Sequence, residues 1–176
     1  MSSASPRAEI RTSLQSTADD LLAYFERRLR SRDDAADLLG ETMLQAWRRI
    51  DAFPVVDPVR QRMWLFTIAA NVLANYRRST SRQVALAGRL RAQLATAPAP
   101  VDPSETTAVR DAVLRLRDAH RELVMLIHWD GFSLVEAAEI LGLNASTARG
   151  RYAAARAVLI DALAETAPAV ARRRVT

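Results

Sequence analysis

The chain has 176 residues, 49% apolar, 26% charged and 6% aromatic, with seven Pro, five Gly and no Cys, which is enough for one medium domain or two small ones. The lack of cysteine excludes a disulfide framework and a thiolate metal site, leaving only His120 and His128 for an imidazole one; no apolar run approaches the ~18 residues needed to span a bilayer, and the opening MSSASPRAEIR has no apolar core of a secretion signal. All 25 basic residues are Arg, against 20 acids, and the net charge of +5 points to a polyanionic partner, although all-Arg usage also follows from a GC-rich genome.

A soluble, cytoplasmic protein without membrane insertion is therefore expected. Residues 1–15 read as a disordered N-terminus. Apolar residues then recur at spacings of three and four, and sustained period-two alternation is absent, so the expected fold class is all-α. The first helix is predicted over Thr17 to Arg30, with Asp19 and Asp20 in its first turn at the positive end of the dipole. The second, Asp33 to Ile50, sets Leu39, Met43, Trp47 and Ile50 on an apolar stripe and Asp37, Glu41, Gln45 and Arg48 on a polar one. Spacing alone reads that polar stripe as a solvated face.

A loop, DAFPVVDPVRQR, follows, unusually apolar for a surface segment through Phe53, Pro54, Val55, Val56 and Pro58. The third helix, Gln61 to Ser79, has a buried stripe of Leu65, Ile68, Val72 and Tyr76. Rotated away from it, Trp64, Thr67, Asn71, Asn75, Arg78 and, past the helix end, Arg82 line a second face. An indole can stack on an unpaired base, amides can read base edges, and guanidiniums can hold phosphates. The alternative is an amide pair satisfied beside a partly buried Trp. From Tyr76 to Arg91 the chain carries Arg77, Arg78, Arg82, Arg89 and Arg91 and no acid, whereas Asp19, Asp20, Asp33, Asp34, Asp37 and Glu41 cluster earlier.

Residues 89–105 read as a flexible linker, since AQLATAPAPVDPSE holds three prolines and almost nothing to bury. The organisation is thus two small helical domains, 16–88 and 106–165, followed by a basic tail over 166–176 containing Arg172, Arg173 and Arg174. In the second domain, helices are predicted over Thr106 to Arg117 and Ala119 to Trp129. DGFSLVEAAEILGLNASTARGRYAAARAVLIDAL then reads as a helix-turn-helix. Ser133 and Glu136 make a capping box, Gly142 provides the turn, and Asn144 caps the second helix. Ala148, Tyr152, Ala155 and Leu159 fall inward, and Ser146, Arg149, Ala153 and Arg156 outward. From Asn144 to Ile160 there are three Arg and no acid, as a groove lined with phosphates would require.

Together these segments resemble the sigma-70 family of bacterial transcription initiation factors, and within it the extracytoplasmic-function (ECF, group 4) class, over about residues 17 to 165. DAADLLGETMLQAWRRIDAF resembles the family's region 2.2, WLFTIAANVLANYRR its regions 2.3 and 2.4, and HRELVMLIHWDGFSLVEAAEILGLNASTARGRYAAAR its region 4.2, with no region 3 between. The resemblance implies a factor that binds the β and β′ subunits of core RNA polymerase, directs it to promoter DNA and promotes melting. It sets Asp37, Glu41 and Gln45 against core polymerase. Phe53, Trp64, Asn71, Asn75, Arg78 and Arg82 would meet the −10 element, and Ser146, Thr147, Arg149, Arg151 and Arg156 the −35 element. It further implies an anti-sigma partner, a monomer when free, and no cofactor, metal or catalytic residue. Departures are Leu116-Arg117 in place of Leu-Pro, Ser146-Thr147-Ala148 in place of Gly-Thr-Val, Gly150 inside the recognition helix, and Ala153 and Ala154 where longer side chains are common.

Two other functions compete with this one. A conventional helix-turn-helix regulator would use the N-terminal block as a sensor or dimerisation domain and would need a pocket or a dimer seam there. An enzyme lacks its groups, since His120 and His128 lie eight apart with no Cys or Ser/His/Asp set beside them.

Overall fold

In a computed structural model, which describes residues 6–55, 57–92 and 108–173, the elements are α1 (Pro6–Glu26), α2 (Arg32–Arg48), a 3-10 turn (Ile50–Ala52), α3 (Pro58–Ala92), α4 (Ala108–Arg115), α5 (Asp118–His128), α6 (Leu134–Ile140) and α7 (Ala145–Arg173). No strand occurs among the described residues, in accord with the all-α expectation. The chain separates into two compact units between Ala97 and Pro98.

The first unit is a bundle of α1, α2 and α3. Its centre is aromatic: Tyr24 meets Phe25 and Phe66 edge-on at centroid distances of 5.1 and 5.4 Å, a favoured arrangement for rings of opposite edge and face charge. Around them Ile10, Leu21, Leu65 and Leu73 are fully buried. Helix α1 starts at Pro6, a residue suited to a first turn because its missing N–H has no partner there anyway. Residues 6–15, expected as disordered, are therefore helical, and Asp19 and Asp20 stand in the second half of α1 rather than in its first turn. Asp20 instead accepts from Arg62 on α3 at 3.1 Å.

Helix α2 is capped by Ser31, whose hydroxyl accepts from the Asp34 N–H. Its buried face differs from the expected stripe. Ala35, Thr42 and Ala46 are buried, Leu39, Met43 and Ile50 are only half-buried, and Trp47 stays 43% exposed. Small residues face the neighbours because they allow helices to approach closely, and Thr42 loses no hydrogen bond there because its hydroxyl donates to the Leu38 carbonyl at 2.7 Å. On α3 the expected stripe of Leu65, Ile68 and Val72 is buried, with Tyr76 half-buried at its end. The helix continues past Ser79 to Ala92, so residues 89–92, expected in the linker, are helical. The rest of the expected linker lies outside the described residues.

The second unit packs α4, α5 and α6 around α7. Leu116, Val124 and Ala155 form a buried cluster flanked by Tyr152 and Leu159. The local chemistry matches the sequence reading. Ser133 and Glu136 complete a reciprocal capping box. Gly142 adopts φ +63°, and beyond it the Leu143 N–H reaches the Ala138 carbonyl at 2.8 Å while the Gly142 N–H reaches Glu139 at 3.1 Å. This is a Schellman end, which needs a left-handed residue. Asn144 then accepts from the Thr147 N–H at 2.7 Å and starts α7, which runs to Arg173 and so takes in Arg172, expected in a separate tail. Arg174 lies outside the described residues.

Candidate nucleic-acid interface

Two surfaces of the first unit carry the residues singled out in the sequence. On α2, Asp37 and Glu41 are exposed and Gln45 is half-buried, its amide donating to Glu41 at 2.9 Å. On α3, Asn71, Asn75, Arg78 and Arg82 are all exposed along one face, and Trp64 and Thr67 are half-buried at its start. The four exposed residues follow the helix at intervals of four, three and four, so their side chains lie in one row along the axis.

The row is preorganised by its own hydrogen bonds. An Arg78 N–H donates to the Asn75 side-chain carbonyl, linking the two side chains along the row. The Arg82 guanidinium donates to the Arg78 backbone carbonyl at 3.2 Å, lying along the helix surface. Thr67 is occupied locally, donating to the Met63 carbonyl at 2.9 Å, and therefore offers little to a ligand. The described part of this face past Tyr76 holds no acid, so its field stays positive.

Phe53, which the resemblance sets at the −10 element, is 5% exposed and packs edge-on against Trp64 at a centroid distance of 5.6 Å. Burying a phenyl ring is worth ~1.5–3 kcal/mol, which outweighs presenting it to water beside Pro54. Phe53 is thus the root of the loop, and it fixes one edge of Trp64 while leaving the indole half-buried. Further along, the Asp57 carboxylate accepts from the Val59 N–H at 2.9 Å and opens α3, and the Gln61 amide reaches back to the Val55 carbonyl at 3.3 Å. Val59, in the first turn of α3, is 55% exposed, so an apolar side chain reaches solvent beside the loop.

The α2 and α3 surfaces meet across a cavity of about 290 Å3 lined by Leu38, Glu41, Gln45, Val72, Asn75, Tyr76 and Ser79. Sequence reasoning missed the bond beside it: the Tyr76 hydroxyl donates to Asp34 at 2.8 Å, joining residues 42 apart. That bond, together with burial, pushes the Tyr76 phenol above its ordinary range. Its signal in the sequence was a Tyr at the end of an otherwise aliphatic stripe.

In the second unit, Ser146, Arg149, Ala153 and Arg156 are exposed on one side of α7, while Ala148 and Ala155 are buried on the other. The Thr147 N–H is engaged by the Asn144 cap and its side chain is half-buried. Arg151 is half-buried, and at 3.6 residues per turn it falls on the flank opposite Arg149 and Arg156. The five residues expected at the −35 element are therefore not one surface, and Arg151 stands apart. His128 accepts from or donates to the Tyr152 hydroxyl at 3.0 Å and stacks on its ring, a structural use of this imidazole. Among the described residues, no three His, Cys, Asp or Glu gather where they could hold a metal, and no helix is long and apolar enough to cross a membrane.

Residues 14–83 match the Sigma-70 region 2 family and residues 106–159 the Sigma-70, region 4 family. The chain is 30% identical over 151 residues to the ECF RNA polymerase sigma factor EcfG of Rhodopseudomonas palustris, covering 85% of this chain and 82% of that protein. The fold is similar to that of the sigma factor RpoE of Bartonella quintana, solved with the anti-sigma factor NepR, with a TM-score of 0.67, 27% identity and coverage of 87% of this chain and 95% of that one. It is also similar to CnrH of Cupriavidus metallidurans, solved with the cytosolic domain of CnrY, with a TM-score of 0.61, 26% identity and coverage of 89% and 88%.

Proposed function

The chain belongs to the ECF class of sigma-70 family RNA polymerase sigma factors and is a transcription initiation factor, and from that premise we propose how its residues divide the work. Asp37, Glu41 and Gln45 on α2 dock on core polymerase, where an acidic stripe meets basic partner residues. Asn71, Asn75, Arg78 and Arg82 on α3, with Trp64 at its start, hold the opened −10 strand. Ser146, Arg149 and Arg156 on α7 face the −35 duplex. Thr147 lies in the first turn of that helix with its N–H held by the Asn144 cap, and Arg151 on the far flank would reach at most a neighbouring phosphate. Phe53 acts indirectly, by holding Trp64.

The observation that carries the reading is the exposed row of two amides and two guanidiniums on α3, in the same unit as an exposed acidic stripe on α2. A sensor or dimerisation domain has no use for such a pair of surfaces, and the family membership removes the need for that alternative. Opening the duplex then takes binding energy alone. Unstacking a base costs a few kcal/mol, which stacking at ~1–3 kcal/mol per base can offset. The protein works beside the polymerase in the cytoplasm. The two solved relatives, each held in a complex, support an inhibitory partner of the anti-sigma kind for this chain as well.

Replacing Asn71 and Asn75 together with Ala tests the assignment. Core binding and −35 contacts should persist while permanganate-reactive thymines in the −10 region decrease, because each bidentate amide contact to a base edge is worth ~1–3 kcal/mol. The loss should be rescued largely on a template already mismatched across that region. Wild-type reactivity on duplex promoter, in a folded double variant, would return the amides to a packing role.

A further inference from the structure

The bond between Tyr76 and Asp34 has no part in the surfaces assigned above, yet it lies between them. Among the described side chains of α3, Leu73 is the last that is buried, and none of residues 74–83 is. Apolar packing therefore cannot by itself fix where Asn75, Arg78 and Arg82 stand relative to α2. The Tyr76 hydroxyl supplies a directional tie at that point, reaching Asp34 at 2.8 Å. Its acceptor is itself held: Asp34 is the third residue after the cap, and its N–H donates to the Ser31 hydroxyl at 3.1 Å. A carboxylate in the first turn is stabilised by the positive helix end, and a hydrogen bond to a charged acceptor is roughly twice as strong as a neutral one. Asp34 lies one turn before Asp37 on α2, and Tyr76 directly follows Asn75 on α3. The tyrosine ring also lines the cavity that Glu41 and Gln45 share with Asn75.

We propose that Tyr76 and Asp34 are a positioning pair that sets the strand-holding half of α3 in register with the core-docking face of α2. The inference rests on the function proposed above. Neither residue needs to touch DNA or polymerase. The pair ensures that a factor seated on core polymerase through α2 presents Asn75, Arg78 and Arg82 at the place where the strand opens.

Tyr76→Phe removes the hydroxyl and keeps the ring, so the cavity wall and the packing stay. On a duplex promoter the rate of open-complex formation should fall about fivefold, the factor that roughly 1 kcal/mol yields. Affinity for core polymerase should stay within about twofold, and a template mismatched across the −10 region should restore the wild-type level, which a loss of general stability would not do. Asp34→Ala should cause the same loss, and the double variant Asp34→Ala/Tyr76→Phe no more than either single one, as a shared interaction requires. Asp34→Asn keeps an acceptor oxygen and should retain most of the rate. A wild-type opening rate in Tyr76→Phe, or an equal loss on duplex and mismatched templates, overturns the positioning role. Failure of the wild-type chain to direct core polymerase to either template would instead overturn the function beneath it.

Discussion

Gly142 and Gly150 stand eight residues apart and have opposite needs. Gly142 holds φ +63° to end α6, a conformation in which any Cβ is strained, whereas a Cβ at Gly150, inside α7, would meet nothing within 4 Å. Gly142→Ala should therefore destabilise the second unit by about 1–2 kcal/mol, and Gly150→Ala should stabilise it by roughly 0.5–1 kcal/mol. Denaturant unfolding of the full chain, followed through the second unit, would measure both, and shifts of the same sign would contradict this account of the turn. On α3, Arg82 is exposed and lies along the helix surface, poised for backbone phosphate rather than for a base. Arg82→Ala should weaken promoter binding by the holoenzyme similarly for all −10 sequences and make its log–log salt slope shallower by about 0.7–0.9, the release expected for one phosphate contact. A change in sequence preference with an unaltered slope would make Arg82 a base reader instead.

At the scale of the element, α1 does more than the sequence suggested. Its first turns bury Ile10 completely and Ser13 to 7% exposure, so Ile10→Ala should cost roughly 2–5 kcal/mol of stability, measurable as a lowered denaturant midpoint. An unchanged midpoint would mean that these turns are dispensable. For α2, reversing the charges of Asp37 and Glu41 together should weaken the complex with core polymerase on gel filtration while leaving far-ultraviolet circular dichroism intact, because both side chains are exposed. Undiminished complex would remove the acidic stripe from the docking face. The helix-turn-helix was legible in the sequence because its determinants are local: a hydroxyl and a carboxylate three residues apart, a left-handed glycine, an Asn cap. The buried face of α2 was not, because stripes are read from large apolar residues and this helix packs through Ala35, Thr42 and Ala46 while Trp47 faces water. The start of α1 was hidden for the same reason, since Ser13 and Thr17 occupy core positions between Ile10 and Leu21. Phe53 sits in a loop whose context suggests exposure, whereas its ring is buried and packs on Trp64, eleven residues on, a pairing that no local pattern announces. The row on α3 was legible by spacing alone, whereas the bond from Tyr76 to Asp34 depends on how two helices meet, and a Tyr closing an aliphatic stripe marks only one of its two ends.

At the scale of the whole molecule, the function proposed above has the two units address two promoter elements, which requires the chain between α3 and α4 to be long enough for both to be occupied at once. A chain reaches at most ~3.3–3.6 Å per residue, and duplex DNA advances about 3.4 Å per base step. Each residue removed from this segment therefore takes away about one base pair of reach. Deleting eight residues between Ala95 and Thr107 should subtract ~26–29 Å and leave the α7 face short of the −35 element whenever the α3 face is engaged at −10. The shortened protein should still bind core polymerase and should still initiate from a template mismatched across the −10 region, since neither requires the second unit to reach its element. On a duplex promoter of normal spacing it should lose activity, and moving the −35 element about ten base pairs closer, a full helical turn, should restore part of it. DNase footprinting of the holoenzyme, read at both elements, would follow the effect directly. Simultaneous protection of both elements at normal spacing by the shortened chain would contradict the division of labour between the units.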